Sequence, residues 1–190
     1  MRIGVLASQG AFAEHIAILQ CQGVEALPVR LPRELVGLDG LIIPGGETTS
    51  ISKLMLDYNL MGEIRNLAKN GLPLFGTCAG MILLANKISN LDIELLGVMD
   101  IVVRRNAFGR QRESFETELS IPALGERPFP GVFIRAPIIE QANSEVEIIA
   151  RLADGTSVAA RQGRLLASAF HPELTNDLRF HQYFLDIVAG

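Results

Sequence analysis

Four short apolar runs, at residues 2–7, 24–29, 40–44 and 72–75, alternate with segments of helical periodicity through the first half of this chain. That alternation constrains the fold more than any other feature. Residues 2–7 close at Ser8-Gln9-Gly10, and residues 11–22 follow with Phe12, Ile16 and Leu19 on one helical face and Gly23 as a stop. Gly40-Leu41-Ile42-Ile43-Pro44 is apolar on both faces, as a central parallel strand must be, and ends at Gly45-Gly46. A helical stretch over 49–70, broken near Asn59, leads to the strand at 72–75, and 79–87 reads as a short, very apolar helix. Strands alternating with helices predict a doubly wound, parallel α/β sheet. The second half changes character, with strand-like runs at 100–104, 114–121, 131–135, 146–152, 156–160 and 164–170. Asp154-Gly155 between two of these runs is a hairpin signal. A closing helix over 175–188 carries Phe180, Phe184 and Ile187/Val188 on one side. Residues 1–190 are expected to form one domain, an α/β sheet with an antiparallel extension.

Composition narrows the class of function. Seventeen basic against 21 acidic side chains give a net charge of −4, whereas a nucleic-acid or anionic-membrane binder is expected to carry a basic excess. With 48% apolar residues the chain is no disordered segment. Its longest apolar stretches fall far short of the ~20 residues that span a bilayer. Met1-Arg2-Ile3-Gly4 runs straight into strand-like sequence, which leaves no room for a signal peptide. Two cysteines, Cys21 and Cys78, are too few for a disulfide framework. The expected location is therefore the cytoplasm, with neither nucleic acid nor membrane as partner.

Three segments carry chemistry. Gly76-Thr77-Cys78-Ala79-Gly80 follows an apolar strand and opens an apolar helix, the setting of a nucleophile elbow. A thiol at a helix start is also placed to react as the thiolate. Taken alone, the pentapeptide fits a buried structural cysteine equally well. Phe170-His171-Pro172-Glu173 adds a base and its orienting partner. In extended backbone Glu173 points to the same side as His171, and Pro172 biases His171 toward that geometry. On its own this segment also fits a surface His-Pro turn. In Pro44-Gly45-Gly46-Glu47-Thr48, two glycines after a strand let backbone N–H groups turn toward an oxyanion. The other histidines carry less: His181 reads as a surface or packed residue of the last helix, and His15 follows Glu14 on the first. Neither has metal-ligand spacing, so no metal is expected. Cys21, near the end of an amphipathic helix, reads as structural.

These segments, in this order, resemble a class I (triad) glutamine amidotransferase domain of flavodoxin-like doubly wound mixed-sheet architecture. Ser8-Gln9-Gly10-Ala11 with Glu14-His15, the block from Arg105 through Gln111, Ser114-Phe115-Glu116, and Phe133-Ile134-Arg135-Ala136-Pro137 narrow the likeness. Together they resemble the PdxT family, the glutaminase subunits of pyridoxal 5′-phosphate synthase. The resemblance runs from Ile3 to the last helix. It implies hydrolysis of L-glutamine to glutamate and ammonia, with no cofactor. Cys78 would be the nucleophile, His171 the general acid/base and Glu173 its orienting partner, with the N–H groups of Gly46 and Ala79 as oxyanion hole. Gly45, Gly46, Glu47, Arg105, Ile134 and Arg135 would bind glutamine. Thr48, where relatives often have serine, and Glu113, where aspartate is usual, are mild departures.

The resemblance also implies a partner, a PdxS-type synthase whose ring-shaped core is decorated by glutaminase subunits. It combines a pentose phosphate, a triose phosphate and channelled ammonia. A glutaminase that occupies all 190 residues leaves no domain to use the ammonia, which points to a separate synthase as well. The segment from Gln9 to His15 and the loop from Gly45 to Thr48 are expected to face it. The alternatives are a glutaminase for another acceptor, such as imidazole glycerol phosphate synthase, and an inactive assembly or regulatory subunit.

Overall fold

The apolar runs of the first half become the centre of a sheet because both of their faces are covered. Ile3, Val5, Leu41, Ile42, Ile43, Leu74 and Phe75 are all fully buried. The computed structural model describes residues 1–109 and 113–190. In chain order it contains β1 (Arg2–Leu6), α1 (Phe12–Cys21), β2 (Glu25–Val29), β3 (Gly40–Ile43), α2 (Thr48–Asp57), α3 (Leu60–Lys69), β4 (Leu74–Thr77) and α4 (Ala79–Leu84). These are followed by β5 (Ala85–Ile88), β6 (Met99–Arg104), β7 (Ser114–Leu119), β8 (Phe129–Ile134), β9 (Ile138–Ala142), β10 (Glu147–Arg151), β11 (Ser157–Gln162), β12 (Leu165–Ser168) and α5 (Arg179–Ala189).

Ten strands form one mixed sheet in the order β2-β1-β3-β4-β12-β11-β9-β6-β5, with β10 paired to β11. From β2 to β12 every pairing is parallel. Beyond β12 the sheet turns antiparallel through β11, β9 and β6, and β5 adds a parallel edge. This is the expected doubly wound α/β sheet with its antiparallel extension. The remaining strands, β7 and β8, pair as a separate antiparallel ribbon. The hairpin at Asp154-Gly155 is present: Gly155 has φ +87°, and the Leu152 N–H donates to the Thr156 carbonyl at 2.9 Å.

Three local expectations need correction, and one strand was not expected at all. The helix read over 79–87 ends at Leu84, and Ala85–Ile88 is a strand paired with β6. There, pairing with β6 outweighs the helical preference of Ala85 and Lys87. Strand β9 follows Pro137 directly and has no counterpart in the sequence reading. The closing helix starts at Arg179 rather than 175, because Asp177 takes the Arg179 N–H at 3.1 Å and its guanidinium as well. Cys21 is exposed rather than structural.

Candidate active site

The sheet delivers three loops to one edge. The segments after β3, β4 and β12 leave the carboxyl ends of adjacent parallel strands, where doubly wound folds place their ligands. The loop after β4 is a single residue, Cys78, held at φ +50° and ψ −104°. A side-chain-bearing residue rarely adopts that conformation. The Cys78 N–H donates to the Ser168 carbonyl at 2.8 Å, fixing the turn against β12. The glycines on either side are required sterically. A Cβ on Gly80 would overlap the Ile43 carbonyl oxygen, and one on Gly76 would stand 2.5 Å from the Gly80 backbone. Close approach of α4 to β3 and β4 is thus what makes the turn sharp enough to present the thiol. Ala79, the first residue of α4, carries one of the N–H groups that a helix start leaves unpaired.

His171 follows β12 and donates through Nδ1 to Glu173 Oε1 at 2.7 Å. The pairing arises differently from the extended geometry expected. Pro172–Leu174 is a turn of 3-10 helix, which curls Glu173 back under the imidazole. Glu173's side chain is wholly buried and His171's nearly so. Burial alone would push the His171 pKa down, but hydrogen bonds to Cys78 and Glu173, together with their charges, raise it to about 10. At neutral pH His171 is therefore an imidazolium beside the sulfur, the arrangement that favours a reactive thiolate. Gly45 lies directly against this pair: a Cβ there would stand 2.5 Å from His171 Cε1 and 3.2 Å from Cys78 Cβ.

A cavity of about 140 Å³ opens over the sulfur, lined by Gly46, Glu47, Thr48, Cys78, Ile82, Arg105, Asn106, Ile134, Arg135 and His171. It is not the largest depression, since one of about 360 Å³ lies beside Ala7, Arg30 and Tyr58, but it is the one that Cys78 and His171 both line. Asn106 and Arg135 both have positive φ, at 51° and 43°, so the wall opposite Cys78 is itself built on unusual backbone. Of the expected binding residues, Gly46, Glu47, Arg105, Ile134 and Arg135 meet in this cavity, and Gly45 sits behind it. Arg110 and Gln111 lie outside the described residues.

Glu47 stands at the start of α2, a favourable place for a carboxylate. Its carboxylate caps α2, accepting from the N–H groups of Thr49 and Ser50 at 3.2 and 2.8 Å and from both hydroxyls. Arg105 Nη2 adds a fifth donor at 3.3 Å. Hydrogen bonds from Thr49 and then Ser50 hold its pKa near 2. These five donors make Glu47 the group that fixes both its own loop and Arg105 at the cavity. Gln9 steadies the same loop, donating to the Glu47 carbonyl at 3.3 Å.

The two remaining histidines lie on the helices expected of them, His181 packed within α5 and His15 within α1. His15 and His181 are both fully buried, so His15 cannot face a partner. His15 Nδ1 and His181 Nε2 are 2.8 Å apart, and His15 Nε2 lies 3.4 Å from Glu173 Oε2. Nothing in a lone histidine on each of two distant helices announces this meeting. Among the described residues no group of three or more His, Cys, Asp or Glu is arranged to hold a metal ion, and no helix is long and apolar enough to cross a membrane.

Comparison with known proteins decides the family. A model of the SNO glutamine amidotransferase family matches residues 5–189. The chain belongs to that family. Among curated relatives of this amidotransferase, the pyridoxal 5′-phosphate synthase subunit PdxT of Herpetosiphon aurantiacus is 57% identical, covering 98% of this chain and 100% of that protein. The PdxT subunit of Moorella thermoacetica is also 57% identical, with complete coverage of both. A solved structure described as a glutamine amidotransferase superposes with a TM-score of 0.94 at 49% identity over the whole of both chains.

Proposed function

We infer that this amidotransferase is the glutaminase subunit of a pyridoxal 5′-phosphate synthase, hydrolysing L-glutamine to glutamate and ammonia for a separate PdxS-type synthase. The observation that carries the chemistry is the strained Cys78 beside an imidazolium whose Nδ1–H is held by a buried carboxylate. The acceptor rests on full-length likeness to PdxT subunits.

In the mechanism, the Cys78 thiolate attacks the side-chain amide carbon of glutamine. The carbonyl oxygen becomes an oxyanion, held by the N–H groups of Gly46 and Ala79. His171 gives its proton to the amide nitrogen as the C–N bond breaks, ammonia leaves, and a glutamyl thioester remains on Cys78. The now neutral His171 takes a proton from water, hydroxide adds to the thioester, and glutamate departs as the thiolate is restored. Glu173 keeps the imidazole in the tautomer that presents Nε2 to the reacting atoms throughout. Arg105 and Arg135 are the cations available to the substrate carboxylate, with Arg105 oriented by Glu47. Ile134 and Gly45 shape the cavity around the side chain. The docking face comprises Gln9 and the accessible part of the loop from Gly45 to Thr48, Gly46 and Glu47, with the ring-shaped synthase core above them, and the assembly operates in the cytoplasm.

Glutamate release from glutamine, measured with and without a PdxS-type synthase, tests the reading. Turnover is expected to be low alone and to rise on mixing. A chain that hydrolyses glutamine but never responds to that synthase would point to a different acceptor.

A further inference from the structure

Glu173 presents a problem that the triad alone does not solve. Its carboxylate is wholly buried, and only Oε1 has a full hydrogen bond, to His171. Oε2 has no partner of full hydrogen-bond geometry. A buried charge held by one bond is costly and free to rotate. The group poised to take Oε2 is His15 Nε2, at 3.4 Å, and long contacts of this kind often tighten only when substrate is bound.

The hydrogen positions follow from the acceptors. A bare nitrogen facing an ionised carboxylate in a dry site would be repelled, so His15 carries its proton on Nε2. The contact in which Nε2 already has hydrogen-bond geometry is with Thr77 Oγ1 at 3.4 Å, an oxygen that also accepts from the Gly45 N–H at 3.1 Å, and Glu173 Oε2 is the next oxygen within its reach. A neutral His15 then has a bare Nδ1, which accepts from His181 Nε2–H across 2.8 Å. That leaves His181 Nδ1 as a bare acceptor, and it is indeed a buried nitrogen with no partner. The opposite arrangement would strand an N–H there, and orphaned buried donors are the rarer defect.

We propose that His15 and His181 are positioning residues, two neutral imidazoles in series whose N–H groups point toward Glu173 and hold its second oxygen, and through it the ring of His171. The inference rests on the assignment of Cys78, His171 and Glu173 as the triad. Neutrality is part of the design: a second cation behind Glu173 would compete with the His171 imidazolium for the carboxylate. Burial, followed by the charges of His181 and His171, holds the His15 pKa well below its usual value, and burial lowers that of His181 to about 4. Packing keeps the pair dry, with Phe75 edge-on to both rings at centroid distances of 6.2 and 6.0 Å. The titratable and charged groups facing His171 are Cys78 and Glu173 directly, Glu47, Arg105 and Arg135 across the cavity, and this histidine pair behind Glu173.

Nitrogen-15 NMR of the full-length wild-type protein reads the tautomers without reference to activity. At neutral pH His15 is expected as neutral Nε2–H; a protonated ring or an Nδ1–H tautomer overturns the proposal. In kinetics, His15→Leu is expected to lower kcat about tenfold or more with little change in KM. It also moves the alkaline limb of the kcat profile roughly one pH unit toward neutrality, as His171 loses a fixed partner. His15→Gln, which keeps an amide N–H near the Nε2 position, restores most of both. An alkaline limb that stays in place in a folded His15→Leu protein marks His15 as packing only and refutes the role. Failure of the triad itself shows separately, as turnover that survives in Cys78→Ala.

Discussion

Replacing His181 with glutamine tests the buried neutral pair through stability rather than rate. His181 is fully buried and its pKa is depressed to about 4 from 6.5. Below pH 6.5 the unfolded chain takes up a proton at this ring that the folded chain refuses until about pH 4. A depressed histidine therefore supports the fold at neutral pH, and that support drains away as pH falls from 6.5 toward 4. Linkage puts the loss at about 2 kcal/mol between pH 7 and pH 5, approaching about 3 kcal/mol by pH 4. His171 acts in the opposite sense: with its pKa raised to about 10, its contribution is fully present below pH 6.5 and is lost as pH rises through 10. Between pH 7 and 5 it returns about 1 kcal/mol and masks part of the effect in wild type. The informative quantity is thus the difference between wild type and His181→Gln, which keeps a donor toward His15 but cannot titrate. Urea unfolding at half-unit steps from pH 7 to 5 supplies it. The two stability curves should converge by about 2 kcal/mol as pH falls; parallel curves refute the claim that His181 is buried uncharged.

Other perturbations separate the parts of the site. Gly45→Ala would place a methyl 2.5 Å from His171 Cε1, and the ring displacement should cost about a hundredfold in kcat with the fold intact by circular dichroism. Gly80→Ala sets a methyl against the Ile43 carbonyl, so it should lower unfolding free energy by about 3 kcal/mol or more, measured by denaturant titration. Arg105→Met removes the guanidinium that Glu47 holds; the KM for glutamine should rise about tenfold or more while kcat changes less, as steady-state kinetics will show.

The chain's periodicity carried the parallel half of the fold because buried central strands must be continuously apolar, as Leu41-Ile42-Ile43 is. The elbow was legible for a related reason: only glycine fits at positions 76 and 80, so the sequence advertises the turn. Strand β5 was hidden because Ala-Asn-Lys-Ile has no strand pattern of its own and is recruited by pairing with β6. Strand β9 was hidden behind Pro137, and the late start of α5 behind Asp177, whose carboxylate organises the preceding turn. Glu47 was legible as a site residue and as a carboxylate near a helix start, but its hold on Arg105 depends on the loop after β6 folding over it. The link from His15 and His181 to Glu173 joins α1, α5 and the turn after β12. No local pattern encodes it, since it depends on how those three elements pack around Phe75.

The central claim is that Cys78 carries the glutamyl group between two chemical steps, and acid-quenching the enzyme during turnover of glutamine tests it most directly. Mass spectrometry of the digested protein should then find a glutamyl adduct on the peptide bearing Cys78, labile to hydroxylamine as a thioester is. The adduct and glutamate release should both vanish in Cys78→Ala. Wild-type turnover in Cys78→Ala, or an adduct on Cys21 instead, would contradict the account.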